Sequence, residues 1–185
     1  MKPMKFARIL PAFFLIVSAP LMAQTPIFKL DPASTVKFHV QATLENVTGS
    51  FHTIELESIE FNGRPESLKG RLAVLIDSLE TGKTKRDSHL KEADFFDVQK
   101  YPKAYVDVLG ISEDDGDYYV HFALEIRGIR KEYQEPIQLK ADWMGVQAKG
   151  TVVVNRKDFG VNGNILTNTI INDEVTLEYN IVLVR

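Results

Sequence analysis

Residues 118–128 read YYVHFALEIRG. Taken alternately, Tyr118, Val120, Phe122, Leu124 and Ile126 fall on one face, and Tyr119, His121, Glu125 and Arg127 on the other. A side-chain period of two belongs to a strand with one face buried and the other in water. The same alternation recurs on both sides. EVTLEYNIVLV sends Val175, Leu177, Tyr179, Ile181 and Leu183 inward. STVKFHV sets Val36, Phe38 and Val40 against Lys37 and His39, and SLKGRLAVLID sets Leu68, Leu72, Val74 and Ile76 against Lys69, Arg71 and Asp77. Asn62-Gly63 with Pro65, Asp115-Gly116 and Asn162-Gly163 are the strongest turn signals between such runs.

The pattern predicts about eight strands, near 34–43, 47–61, 67–78, 104–113, 117–128, 131–143, 148–156 and 172–184. In 47–61 the apolar parity slips between Phe51 and Ile54 and again before Ile59, which predicts bulges. Long strands joined by hairpins predict an all-β fold, an eight-stranded antiparallel barrel whose closure removes exposed edges. Two packed sheets are the alternative. Runs of 11 to 13 residues at ~3.3 Å each reach roughly 35–45 Å before tilt. Eight strands enclose a channel that side chains fill or that holds one slim ligand. The inward faces are apolar along most of their length, which suits a long apolar ligand. A solidly filled core remains the other reading.

The 185 residues carry a formal charge of −3 and contain four histidines but no cysteine. Lys2, Lys5 and Arg8, the apolar run 9–22 and Ala23 have the order of a secretory signal peptide, residues 1–23. Its removal takes three basic residues, moves the charge from −3 to −6, and leaves one expected domain, 24–185. An acidic chain without a basic cluster argues against nucleic acid and anionic membranes as partners. No second apolar run is long enough to span a bilayer, so an integral membrane protein is not expected. The expected compartment is the periplasm. Without cysteine there is no thiol catalysis, no cysteine metal site and no disulfide, so stability must come from packing.

No catalytic constellation emerges. A turn centred on Glu45-Asn46 would set His39 opposite His52, but both lie on the polar face without a third ligand, so no metal centre is expected. The acidic group 113–117 has an Asp-Gly centre and reads as a hairpin turn rather than a catalytic carboxylate pair. Neither a phosphate loop nor a nucleophile elbow occurs.

One stretch departs from alternation: TKRDSHLKEADFFDVQKYP, residues 84–102. Thr84 or Asp87 is placed to cap a helix whose first turn is SHLKEA. Leu90 and Ala93 at helical spacing would sit on the barrel rim, and Phe95 and Phe96 would plug or line its mouth. Arg86 and His89 are candidates for a polar head group or the rim, with bracing of the loop by Arg86 and Asp87 as the competing reading.

That stretch, extended back to Ser78, together with LDPASTVKFHV, VTGSF, NRKDFGV and DEVTLEYNIVL, resembles the YceI-like family of exported bacterial proteins. The likeness covers nearly all of the chain after Ala23. It departs at Ala33 and at Gln41-Ala42, where the family usually carries histidines. The resemblance implies a lipocalin-like barrel that binds a polyisoprenoid lipid, such as a quinone or polyprenyl phosphate, without a cofactor. The expected lining is Phe38, Val40, Phe51, Leu72, Val74, Ile76, Phe122, Leu124, Ile126, Val175, Leu177 and Tyr179. Phe95, Phe96 and Phe159 would shape the openings, and Trp143 would lie on the strand pattern with Leu139, close enough to report on the cavity. Two rival readings stay open: an enzyme using the same tube, which would need an inward titratable pair, and an interaction module with a filled core. Oligomeric state is open, a homodimer included.

Overall fold

The computed structural model describes residues 28–163 and 170–185; the expected signal segment lies outside them. The strands are β1 (Lys29–Leu30), β2 (Thr35–Ala42), β3 (Val47–Phe51), β4 (Ile54–Glu60), β5 (Lys69–Leu75), β6 (Leu79–Glu80), β7 (Lys103–Asp114), β8 (Asp117–Ile126), β9 (Ile129–Asp142), β10 (Gly145–Asn155) and β11 (Ile171–Val184). One α-helix, α1 (Thr84–Leu90), and 3₁₀ turns at Pro65–Ser67, Ile76–Ser78 and Arg156–Phe159 complete the described elements.

Neighbouring strands follow the order β4-β5-β7-β8-β9-β10-β11-β2-β3-β6, with β1 added beside β11. Every pairing is antiparallel. Strands β3 and β4 lie near opposite ends of that order, yet only His52 and Thr53 separate them in the chain. The backbone therefore carries the curled sheet back on itself, giving the expected antiparallel barrel with more strands than eight. The predicted second strand is divided at His52-Thr53, and β4 carries a register shift between Leu56 and Ser58. Both irregularities coincide with the parity slips. The two-residue strands β1 and β6 are too short to show alternation.

Two hairpins fix the register of the most regular wall. Asp115 and Gly116 have φ of 49° and 88°, and Arg127 and Gly128 have 53° and 72°. Two successive positive φ values are those of a type I′ turn, whose twist matches antiparallel strands. They set Asp114 opposite Asp117 and Ile126 opposite Ile129, so Val120, Phe122 and Leu124 point inward.

The β2–β3 register differs from expectation. His39 pairs with Thr48, 3.2 Å from its Oγ1, because the reversal centres on Thr43-Leu44 rather than on Glu45-Asn46. The shift is even, so both strands keep their buried faces. His52 instead meets Glu80 at 2.6 Å on the surface. The helix also starts earlier than expected: its N-cap is Lys83, without a side-chain cap, because Asp87 turns back to accept hydrogen bonds from Thr81 N (2.9 Å) and Thr81 Oγ1.

Buried side chains form two clusters. Phe38, Phe51, Val74, Ile76, Leu79 and Ala104 make the smaller. The larger joins Phe95, Val120, Phe122, Leu124, Val152, Val154 and Phe159 with residues at the far end, including Phe28 and Leu68.

Candidate functional site: an apolar cavity and its mouth

A cavity of about 640 Å³ occupies the interior, within the range of ~300–1,000 Å³ usual for small-molecule sites. Its walls are the inward faces of the strands. From the β2–β3 side come Phe38, Val40 and Phe51; from β5 and the turn after it Leu72, Val74 and Ile76; from β8 Phe122, Leu124 and Ile126; from β11 Val175, Leu177 and Tyr179. Each of these residues was expected as lining, whereas Tyr118, on the same face of β8, is not part of this surface.

The mouth is built by the segment that broke the alternation. Phe95, Phe96, Phe159, Arg86 and His89 all border the cavity. Phe95 is buried, with the His89 ring edge-on at 4.9 Å, while Phe96 meets Phe51 edge-on at 6.2 Å. Arg127, in the β8–β9 turn, donates to the carbonyls of Ala93 (3.1 Å) and Phe95, pinning the segment to the barrel. Arg86 donates from Nε to Thr81 Oγ1 (2.8 Å) and from Nη2 to Thr81 O (2.9 Å). Arg86 and Asp87 thus brace the loop through Thr81, while Arg86 still borders the opening. Leu44, 86 % exposed, and Ile170 extend the apolar rim.

Trp143 is a correction. Extrapolated alternation from Leu139 and Ala141 carries it inward, but the chain reverses first. Asp142 Oδ1 accepts from Met144 N (2.8 Å) and Gly145 N (3.1 Å), which makes a turn and leaves Trp143 66 % exposed, away from the cavity.

Arg156 borders the cavity at only 6 % exposure, and alternation gave no sign of it. Its Nη1 donates to Val161 O (2.9 Å) and Asn162 O (2.6 Å), Nε to Asn172 O (3.2 Å), and Nη2 to Asp173 Oδ1 (2.8 Å). Lys157 and Arg156 together hold the Asp173 carboxyl below its usual range. One guanidinium therefore ties the turn after β10 to the start of β11. Replacing Arg156 with alanine would strand those carbonyls and is expected to cost about 2–4 kcal/mol in urea unfolding. Arg156→Lys should recover only part, because an ammonium cannot reproduce the planar fork.

His89 and Asp94 form a second polar pair at the mouth, Nε2 to Oδ2 at 3.2 Å. With Glu92 they bring three candidate ligand atoms within 4.8 Å of one another. The hydrogen bond uses the His89 and Asp94 atoms to join the end of α1 to the following turn. Asp94 O also accepts from Gly163 N at 2.7 Å, linking that turn to the segment after β10.

Tyr179 is the polar group deep in the wall. Its hydroxyl oxygen is buried and has no hydrogen-bond partner among the described residues. Burial, then the Glu135 charge, pushes its pKa up to about 12 from an ordinary 10. The folded protein thus holds this proton more tightly than the unfolded chain. The associated stability is complete below about pH 10 and lost between 10 and 12, a fall of about 2–3 kcal/mol. Urea unfolding over that interval should show a steeper decline for the parent than for Tyr179→Phe.

Comparison with known proteins places this arrangement. The model of the YceI-like domain matches residues 28–183. The chain belongs to the YceI-like family. A UPF0312 protein of Pseudomonas syringae pv. tomato is 32 % identical to it over 126 residues, 62 % of this chain and 64 % of that protein. This YceI-like chain therefore spans just under two thirds of the length of the curated relatives it matches. Among solved structures, Burkholderia cenocepacia BcnA superposes with a TM-score of 0.74 at 21 % identity, covering 83 % of this chain and 98 % of BcnA. A polyisoprenoid binding domain from Saccharophagus degradans gives 0.69 at 17 %, covering 85 % and 97 %. At those identities the two structures establish the YceI-like chain's lipocalin-like fold. No helix among the described residues is long and apolar enough to cross a membrane.

Proposed function

We propose that this protein binds the hydrocarbon chain of an isoprenoid lipid, of quinone or polyprenyl type, and sequesters or carries it in the periplasm after export. The observation that carries the reading is the apolar cavity of about 640 Å³, lined by the inward faces of the strands and by Phe95, Phe96 and Phe159. Each methylene moved from water into such a cavity contributes ~0.8 kcal/mol at most. A long tail can therefore bind without a strong polar anchor, with cavity length and width setting selectivity. Membership of the family and the Saccharophagus degradans domain, named for polyisoprenoid binding, support the same ligand class. The signal-type residues 1–23 support export, which fractionation of the producing cells would test.

The binding experiment uses delipidated protein and vesicles of neutral phospholipid containing ubiquinone. Capture of about one quinone per protein in the vesicle-free fraction is the expected result, and no quinone above a protein-free blank would contradict it. An enzymatic reading would draw on His89 and Asp94 at the mouth. Turnover of a prenyl ester that disappears in His89→Ala would favour that reading over a carrier.

A further inference from the structure

We propose that the mouth of the barrel docks on a bilayer of zwitterionic phospholipid, with Leu44 entering the hydrocarbon and Lys85 at the phosphates, so that the isoprenoid chain passes between membrane and cavity without crossing water. The inference rests on the lipid-binding reading above and adds the surface from which the ligand is taken.

Leu44 stands in the β2–β3 loop and is 86 % exposed. One exposed leucine is ordinary on a protein surface. This one also borders the cavity, as do Val47 and the exposed Ile170, so the apolar tip belongs to the same surface as the cavity wall. The loop is held in place from both sides. Ala42 N donates to Asn46 Oδ1 at 3.3 Å across it, Thr43 N donates to Ile170 O at 2.9 Å, and Glu45 pairs with Lys83 at the start of α1. Leu44 is therefore presented to solvent by a fixed turn at the opening. Every methylene that meets water adds to the cost of moving a long hydrocarbon chain, and contact between this rim and a bilayer removes that step.

The groups around the tip fit a phospholipid interface. Glu45 is paired with Lys83, and Arg86 donates to Thr81. Lys85, exposed on α1 and bordering the same opening, has no ion pair or hydrogen bond among the described residues. Near the same loop, Gln41, Thr43, Asn46 and Asn172 line a shallow polar groove where the β2–β11 pairing is irregular between Ile171 and Val175. One ammonium and several uncharged hydrogen-bonding groups around an apolar tip match phosphate and headgroup above hydrocarbon. The acidic chain, −3 overall, disfavours an anionic surface. A protein partner needs a broad contact patch, whereas Leu44 and Ile170 make a narrow one that a bilayer admits as single side chains. Trp143 and Met144 are also exposed, but the β9–β10 turn that holds them lies at the opposite end of the strands and serves as a control.

Two readouts test the docking. Trp143 is the single tryptophan, so Leu44→Trp in a Trp143→Phe background moves that reporter to the tip. On adding vesicles of phosphatidylcholine and phosphatidylethanolamine its emission should shift to the blue and become shielded from iodide, while Trp143 of the parent should not respond. Ubiquinone exchange between those vesicles and the protein reads the consequence. Leu44→Asp is expected to slow uptake and release alike, each roughly 10-fold, the value of moving one leucine side chain from water into hydrocarbon. Met144→Asp should leave both rates unchanged, and thermal melting checks that each variant is folded. A tryptophan at 44 that stays water-like, or exchange unchanged in Leu44→Asp, would overturn the docking; loading from detergent-dispersed ubiquinone would show the carrier reading intact. Slowing in one direction only would mean that Leu44 holds the ligand instead. A blue shift that grows with protein concentration without vesicles would put a second copy on the rim. Either result overturns the inference. A parent that takes ubiquinone from neither vesicles nor detergent would overturn the carrier reading and this inference together.

Discussion

Leu124→Glu is expected to reduce isoprenoid retention by more than about 100-fold. Leu124 lies on the inward face of β8, opposite Val106 of β7, and is 5 % exposed at the cavity wall. A carboxylate there would face the apolar side chains of the cavity wall, and burying an uncompensated charge costs several kcal/mol. The protein has two ways to relieve that cost, admitting water to the cavity or loosening the barrel, and both expel an apolar chain. Leu124→Met conserves volume and should retain the lipid with a penalty below about 1.5 kcal/mol in stability. Lipid extracted per mole of protein, together with urea unfolding, distinguishes eviction from unfolding. Untouched folding and untouched retention in Leu124→Glu would show that β8 does not face the bound chain.

Phe159→Ala is expected to cost about 3–5 kcal/mol in the lipid-free protein. Phe159 is 0 % exposed and closes the 3₁₀ turn that follows β10, with Gly160 at φ 70° accepting the chain's reversal. Its ring belongs to the larger buried cluster and also borders the cavity. Removing it leaves a void that the surrounding barrel strands can close only in part, which is what makes large-to-small changes expensive. Urea unfolding of delipidated protein reads the cost directly. A loss below about 1 kcal/mol would mean that the turn repacks freely and that Phe159 contributes little to the mouth.

What could be read from sequence follows from how local each determinant is. Alternation is a property of single strands, so the inward faces of β2, β5, β8 and β11 were legible residue by residue. Phe95 and Phe96 were legible as mouth residues because they interrupt that alternation between two strands. Trp143 was not: alternation extends through Leu139 and Ala141, and the reversal is set by the Asp142 side chain capping its own turn. The pairing of His39 with Thr48 depends on where the β2–β3 loop closes, and Ala42 N donates to Asn46 Oδ1 within that loop. Nothing in the alternation marked Arg156, within NRKDF, for burial. Its burial arises from the carbonyls of Val161, Asn162 and Asn172 and the carboxylate of Asp173, groups that lie up to seventeen residues away in the chain. The space that Tyr179 Oη occupies depends on Gly150 in the neighbouring strand, and no pattern in either strand alone reports it.

The central claim is that the cavity holds an isoprenoid chain. Native mass spectrometry of protein purified from its own cells without detergent, followed by solvent extraction and identification of the lipid, tests it most directly. The account predicts a stoichiometric mass increment that extraction resolves into a polyisoprenoid. A protein that emerges empty, and that then takes up neither ubiquinone nor squalene, would contradict it.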